Sequence, residues 1–376
     1  MSLLLMKVFG GGAACCATPL EAKVAMNVTT MMDLRMKASR YQLKDAPYDK
    51  EHDAFDTSAD CVVGLARACW ATNIAKPPST ESTPMAMPIS LNDITIHPVI
   101  EQQGPFFDVM GFFPKLTKEL LDDNRYWLQP AFLDPADKLM LCIQSFVIKT
   151  PHHNILVDAC VGNHKPRPTR PFWHMMNSDR FEKGLEAAGL TVNDIDYVMC
   201  THLHTDHVGW NTKLENGRWV PTFPKAKYIM ADRELEHWTA RQKDNPDSVP
   251  WITDSVLPII AAKRAQIVKS DFTFNERVQF IPTPGHTIDH FSVLVGRAGA
   301  DALITGDMIH SPLQGKYPEL GMMADYDSPQ AGKTRRNVFD RFCEEPTVMC
   351  ATHFPAPSTG RVRRWGDGFK FVGAAD

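Results

Sequence analysis

Little in this sequence points toward a membrane, a nucleic acid or an oxidising compartment. No apolar run among its 376 residues is long enough to cross a bilayer. The apolar start, Met1 to Met6, is broken by Lys7 and by Gly10 to Gly12. No basic segment precedes a continuous apolar stretch, so no secretory signal is expected. Blocks of Lys or Arg are missing and the formal net charge is only -4, which argues against a nucleic-acid-binding surface. None of the nine cysteines forms a CxxC pair. An odd count without such pairs, in a long chain, argues against a disulfide framework and favours a reducing, cytoplasmic compartment. Cys142, Cys160, Cys200 and Cys350 lie inside or beside apolar β-like runs and are expected to be small buried hydrophobes.

What is there is ordinary globular composition, 44% hydrophobic and 22% charged, enough for one large core or two smaller ones. Residues 1 to 88 differ from the rest. They show several methionines, scattered charges and no sustained period, and end in Lys76-Pro77-Pro78-Ser79-Thr80-Glu81-Ser82-Thr83-Pro84, the composition of an extended linker. They are expected to be a disordered or linker-like N-terminal extension, dispensable for catalysis. An upstream start codon set too early is a second reading of the same segment.

Residues 89 to 376 alternate β-like runs with helix-like stretches, an α/β pattern without a short-period repeat. Strands are expected at Cys142 to Ile148 and Asn154 to Asp158, with a turn near Pro151 to His153. Others are expected at Tyr197 to Cys200, Tyr228 to Met230, Val278 to Ile281, Phe291 to Val295, Ala302 to Ile304 and Thr347 to Cys350. Ser178 is a plausible N-cap for a helix burying Phe181, Leu185 and Ala188 and ending at Gly189. Ser328-Pro329 reads as an N-cap with proline at N1, opening a helix through about Phe342.

The ends of these runs carry the chemistry. Histidine or aspartate follows a β-like run at His202, His286, Asp307 and His353. His202 and His204, two apart in an extended segment, point the same way and can reach one metal. Asp206 and His207 come just after and can face a second metal. Imidazole and carboxylate suit zinc, and also iron, manganese and cobalt. Three histidines and an aspartate within six residues at a strand end are not what a decorated surface turn would supply.

With these residues in place, the sequence resembles the metallo-β-lactamase superfamily. Its HxHxDH signature stands as His202-Leu203-His204-Thr205-Asp206-His207. Asp158, after Ile155-Leu156-Val157, matches the family's structural aspartate. Pro284-Gly285-His286-Thr287, Thr305-Gly306-Asp307 and Ala351-Thr352-His353 match the later motifs in order. The resemblance implies an αββα sandwich over roughly residues 90 to 374. It implies two divalent metal ions, zinc foremost. His202, His204 and His286 would hold the first metal, and Asp206, His207 and His353 the second. Asp307 would bridge them around a shared, acidified water that acts as the hydroxide nucleophile. Asp206 is also the candidate to relay a proton to the leaving group.

Within the superfamily, the bridging aspartate at 307 sets the chain apart from the commonest zinc β-lactamases, which carry cysteine there. The flavodiiron glutamate at the His204 position is missing too. The chain resembles methyl parathion hydrolase and its relatives, together with the acyl-homoserine lactonases. That likeness rests on the segment ahead of Asp158, on Thr283 to Thr287 followed by His290, and on His353-Phe354-Pro355, Gly360-Arg361-Val362 and Gly368-Phe369-Lys370-Phe371. A small-molecule carboxyl ester, lactone or phosphotriester is the expected substrate, with a homodimer allowed and no nucleic-acid or membrane partner. The alternative is thiol chemistry, either a thioester hydrolase of the glyoxalase II type or an iron persulfide dioxygenase.

Aromatic residues ahead of and beside the motifs (Phe106, Phe107, Phe112, Phe113, Trp127, Phe132, Trp173) are mostly expected in the core. Trp210, separated from the ligand run only by Val208 and Gly209, is expected at the pocket wall. Met308 and His310 are expected to approach the substrate, and His290 to support the turn at His286. His152, His153, His164 and His174 read as surface or structural.

Overall fold

The structure is a computed structural model that describes residues 87–297 and 300–373. The expectations for residues 1 to 86 therefore lie outside the described residues. The first strand begins at Ile89.

Two seven-stranded sheets stack face to face. The first runs in the order β1 (Ile89–Leu91), β2 (Ile94–Asp108), β3 (Lys138–Lys149), β4 (Asn154–Val157), β5 (Tyr197–Met199), β8 (Lys227–Ala231) and β9 (Ala265–Val268). A short hairpin, β6 (Thr212–Glu215) and β7 (Arg218–Pro221), stands apart. The second sheet runs in sequence order: β10 (Thr273–Asn275), β11 (Val278–Pro282), β12 (Phe291–Arg297), β13 (Ala300–Ile304), β14 (Val348–Cys350), β15 (Thr359–Trp365) and β16 (Gly368–Gly373).

Strand alternation builds the layers. Ile155, Val157, Met199 and Ile229 on the first sheet meet Val293, Ile304 and Cys350 on the second in one buried cluster between the sheets. The intervening Leu156, Val198 and Tyr228 point the other way and pack with Phe181 and Leu185 of the helix Arg180–Ala187. Leu303 and Met349 likewise face Val338 and Phe339 of the helix Ser328–Phe342. Strands buried on both faces read as unbroken apolar runs, which is why these short segments stand out in the sequence. The architecture is the αββα sandwich. All four cysteines expected in the core are buried.

Helix starts differ by one residue from the expectation. Asp327, not Ser328, caps the long C-terminal helix, its carboxylate accepting from Gln330 N at 3.0 Å. Asp179, rather than Ser178, holds the N-cap position of Arg180–Ala187, although Ser178 Oγ still accepts from Arg180 N. In both cases two adjacent residues with short oxygen-bearing side chains compete for one cap. Among the described residues, no helix is long and apolar enough to cross a membrane.

Candidate metal centre

Parallel pairing brings the motifs to one edge. β4 and β5 lie side by side and parallel, so Asp158 and the Thr201-His202 segment emerge together. β13 and β14 form a parallel pair in the other sheet, releasing Asp307 and His353 at their C-terminal ends. The loop between β11 and β12 adds His286.

There the structure brings together all seven candidate ligands. His202, His204, His286 and Asp307 form one group, and Asp206, His207 and His353 a second, with the ligand atoms of each group within 4.8 Å of one another. Asp307 stands between them. Its Oδ2 lies 3.2 Å from His286 Nε2 and 3.6 Å from His202 Nε2, while its Oδ1 lies 3.0 Å from His207 Nε2 and 2.9 Å from His353 Nε2. Asp206 Oδ2 is 3.8 Å from both His207 Nε2 and His353 Nε2.

The far nitrogens of four rings are anchored to oxygen. His207 Nδ1 donates to Asp158 Oδ2 at 3.0 Å, His286 Nδ1 to Asp325 Oδ1 at 3.1 Å, and His353 Nδ1 to the Cys142 carbonyl at 2.9 Å. His202 Nδ1 lies 3.1 Å from the Thr201 hydroxyl. A proton fixed on Nδ1 leaves the Nε2 lone pair facing inward, the arrangement of a metal-ligating histidine. His204 reverses this, turning Nδ1 inward to within 3.0 Å of His202 Nε2 and 2.9 Å of His286 Nε2.

Without a cation such a cluster is electrostatically incomplete. Burial holds His202 and His204 well below their ordinary pKa, in the neutral form. Burial also opposes charge on His286, but Asp307 and Asp325 outweigh it and lift that pKa to about 9. For Asp307, burial works against ionisation, and the surrounding histidines overcome it and hold its carboxyl well below the usual range. His207 Nε2 and Asp307 Oδ1 are fully buried yet lack hydrogen-bond partners. Converging lone pairs, a central carboxylate and orphaned inward atoms fit two metal ions, and the nitrogen and carboxylate donors suit zinc.

Supporting residues near the motifs explain how the loops hold still. Asp158 sits in the left-handed region at φ 61°, where its Oδ1 accepts from Thr201 N while Oδ2 reaches His207. His290 supports more than its own loop: its Nδ1 donates to Thr283 Oγ1 at 2.7 Å and its Nε2 accepts from Asp307 N at 2.9 Å. Burial keeps it neutral by lowering its pKa to about 3. Gly306, at φ 54°, lies against that same ring, and a Cβ there would meet His290 Nε2 at 2.5 Å.

Sequence reasoning missed several buried charged groups, three of which support the site directly. Glu234 bridges the loops, accepting from Leu203 N, Asp289 N and Trp238 Nε1. Glu101 accepts from Val161 N, Gly162 N and Trp210 Nε1, and burial raises its pKa to about 7. Arg167 donates from Nε to Thr205 Oγ1 at 2.8 Å and from both terminal nitrogens to Asp254 at 2.7 and 2.9 Å. Thr205 lies between His204 and Asp206, so this ion pair clamps the ligand run. None of these groups belongs to a recognisable motif, and their partners are remote in sequence. Arg167→Ala is expected to destabilise the fold by about 3–5 kcal/mol, because it strips a buried carboxylate of its bidentate partner. Urea denaturation would check this, and a loss below 1 kcal/mol would contradict it.

Two expectations about the pocket are corrected. Trp210 is no pocket wall: it is buried, stacked on Phe181 at 4.8 Å and tied to Glu101, because the turn after His207 folds it back beneath the ligand loop. Met308 is also core, packed among Phe339 and Met349. His310 does line the cavity and donates from Nε2 to Asp307 Oδ2 at 3.1 Å. Of the earlier aromatics, Phe107, Phe112 and Trp173 line the cavity, which has a volume of about 910 Å³. Phe113 is buried in the core, and Trp127 packs edge-on against Trp365. His174 is structural, its Nδ1 accepting from Arg167 N.

Residues 143–353 match the metallo-beta-lactamase superfamily, more than half of the chain. The chain belongs to that superfamily. Among curated relatives, an N-acyl homoserine lactonase from Bacillus sp is 26% identical over 175 residues, which are 43% of this chain and 62% of the relative. The N-acyl homoserine lactonase AiiA of Bacillus thuringiensis subsp. kurstaki is 26% identical over 209 residues, half of this chain and 76% of that protein. The chain thus spans less than two thirds of the first relatives it matches. Among solved structures, the hydrolase AbOPH of the beta lactamase superfamily aligns with a TM-score of 0.65 at 22% identity. That alignment covers 76% of this chain and 96% of AbOPH. A dizinc quorum-quenching lactonase, AidC, aligns with a TM-score of 0.62 at 19% identity over 76% of this chain and 96% of its own. At these identities the structural likeness speaks for the superfamily fold.

Proposed function

We propose that this superfamily member is a binuclear metal-dependent hydrolase of carboxyl esters, lactones or phosphotriesters. The observation that carries the proposal is the division of Asp307, one oxygen toward His202 and His286 and the other toward His207 and His353. In this reading His202, His204 and His286 would hold one ion, Asp206, His207 and His353 the other, and Asp307 would serve both. When bound, such a pair activates water and polarises a carbonyl or phosphoryl oxygen. The chain's own residues do the rest. Asp158, Asp325 and the Cys142 carbonyl hold the imidazoles in the tautomer that leaves their inward nitrogens unprotonated. Asp206, primarily a ligand in this reading, also lines the cavity, which supports a second role for it in carrying a proton to a departing oxygen. The cavity lining mixes aromatic and aliphatic side chains with Arg167, Arg170 and Arg241, and its apolar part suits the apolar groups of a neutral substrate. The similarity to N-acyl homoserine lactonases supports the lactone and ester end of the range.

Elemental analysis of gently purified protein is expected to find about two equivalents of metal per chain, mainly zinc. On the same preparation, kcat/KM for an aryl ester and an acyl-homoserine lactone is expected to exceed that for a thioester and a penicillin. An oxygen leaving group departs more readily than an amide nitrogen, which needs a dedicated acid. A penicillin or thioester turned over fastest would overturn the substrate class, and full activity with a single metal would overturn the binuclear centre.

A further inference from the structure

The cavity has two separate aromatic walls, one at each side of the histidine cluster. On one side Trp238 lies edge-on to His204 at 5.2 Å, with Trp251 5.6 Å beyond it. His237 and Tyr326 extend this wall, their rings 5.4 Å apart. On the other side Phe112 lies edge-on to His310 at 5.5 Å, and His310 is stacked on His353 at 5.1 Å. Phe107 and Trp173 continue this second wall. All of these aromatics line the same cavity of about 910 Å³. The neighbouring rings of His204, His286 and His310, 4.7 and 5.0 Å apart, connect the two walls. A scissile group held at that cluster can therefore send one substituent against each wall.

Resting on the hydrolase reading above, we infer that the substrate is an open-chain ester carrying bulky apolar groups on both its acyl and its leaving-group side. A lactone keeps its leaving oxygen tethered within the acyl ring and offers one side chain, so it fills one wall. An open-chain ester fills both. In the reaction a water oxygen bonds to the carbonyl carbon, the carbon–oxygen bond breaks with its electron pair going to the leaving oxygen, and the water's protons end on that oxygen and in solvent. The products are one acid and one alcohol, each held against its own wall. Two apolar groups buried on separate surfaces add their transfer free energies, so losing either is felt.

The test uses the metal-loaded full chain and reads binding separately from turnover. Dibenzyl ketone, which cannot be hydrolysed, is titrated against phenylacetone by quenching of tryptophan fluorescence. Dibenzyl ketone is expected to bind about tenfold more tightly or better, since it has two rings to bury. Phe107→Ala and Tyr326→Ala, one on each wall and neither a candidate ligand, are each expected to weaken dibenzyl ketone about tenfold and to leave phenylacetone, which can use the intact wall, nearly unchanged. Tyr326→Phe is expected to restore binding. Equal affinity for the one-ring and two-ring ketones, or two-ring binding indifferent to both substitutions, would overturn the two-wall inference. In parallel, kcat/KM for benzyl phenylacetate is expected to exceed that for benzyl acetate, methyl phenylacetate and a hexyl-substituted butyrolactone, all of which release alkoxides of similar basicity. No turnover of any ester or lactone alongside the expected ketone pattern would sink the hydrolase reading alone, whereas a lactone turned over faster than benzyl phenylacetate would sink the open-chain preference.

Discussion

Asp307→Ala is expected to lower kcat/KM by about 10³-fold or more, roughly 4 kcal/mol of transition-state stabilisation. It should also reduce the metal content well below two equivalents. The size of the effect follows from where the side chain stands. One carboxylate oxygen faces His286 and His202, the other His207 and His353. It is also the negative charge placed inside a ring of buried imidazoles. Removing it would leave His202, His204 and His286 as a set of nitrogens alone and Asp206 as the one carboxylate of the second set, so each dication would be held with less charge compensation. His353→Ala removes a side chain from one group only, so it should weaken one metal more than the other. Titration of the metal-free protein with Co(II), followed by absorbance, separates the two cases. An Asp307→Ala protein that kept two metals and near-normal turnover would refute the bridging assignment.

The second large effect is structural. Gly209→Ala is expected to destabilise the fold by about 3 kcal/mol or more, at the upper end of overpacking costs. A Cβ at this position would sit 1.7 Å from the Val161 carbonyl oxygen and 2.0 Å from its carbon. Neither is the movable tip of a side chain. Gly209 N donates to the Cys160 carbonyl at 2.8 Å, and Trp210 N to that of Ala159 at 2.7 Å. The backbone after His207 is thus laced directly to the segment after Asp158. Forcing the two apart displaces the aspartate that orients His207. Chemical denaturation of the metal-free variant reads the fold, and metal affinity reads the displaced ligand run. A variant as stable as the parent would show that the two backbones are free to separate.

How much of this was legible beforehand depended on the range of the interactions. The ligand run was legible because its spacing is local: two residues apart in an extended segment already share a side. The strands beside it were legible because the C-terminal parts of β4, β5 and β13 and all of β14 are buried on both faces and consist of apolar residues. The hairpin of β15 and β16 was not, because charged Arg361, Arg363 and Lys370 interrupt a segment that is buried on one face only. Trp210 misled because nearness in sequence to a ligand says nothing about the direction in which the next turn carries the chain.

The sequence by itself determined the chemistry of the candidate centre: which side chains bring nitrogen and oxygen, and that they follow apolar strands. Local spacing and burial patterns suffice for that. Only the tertiary structure decided which oxygen of Asp307 faces which histidines, that Asp325, Glu234 and the Arg167–Asp254 pair stand behind the ligands, and that the cavity has two aromatic walls. Those contacts join residues tens to hundreds of positions apart. Burial makes each polar partner necessary, but the pairing of the sheets and the course of the loops choose which residue meets it.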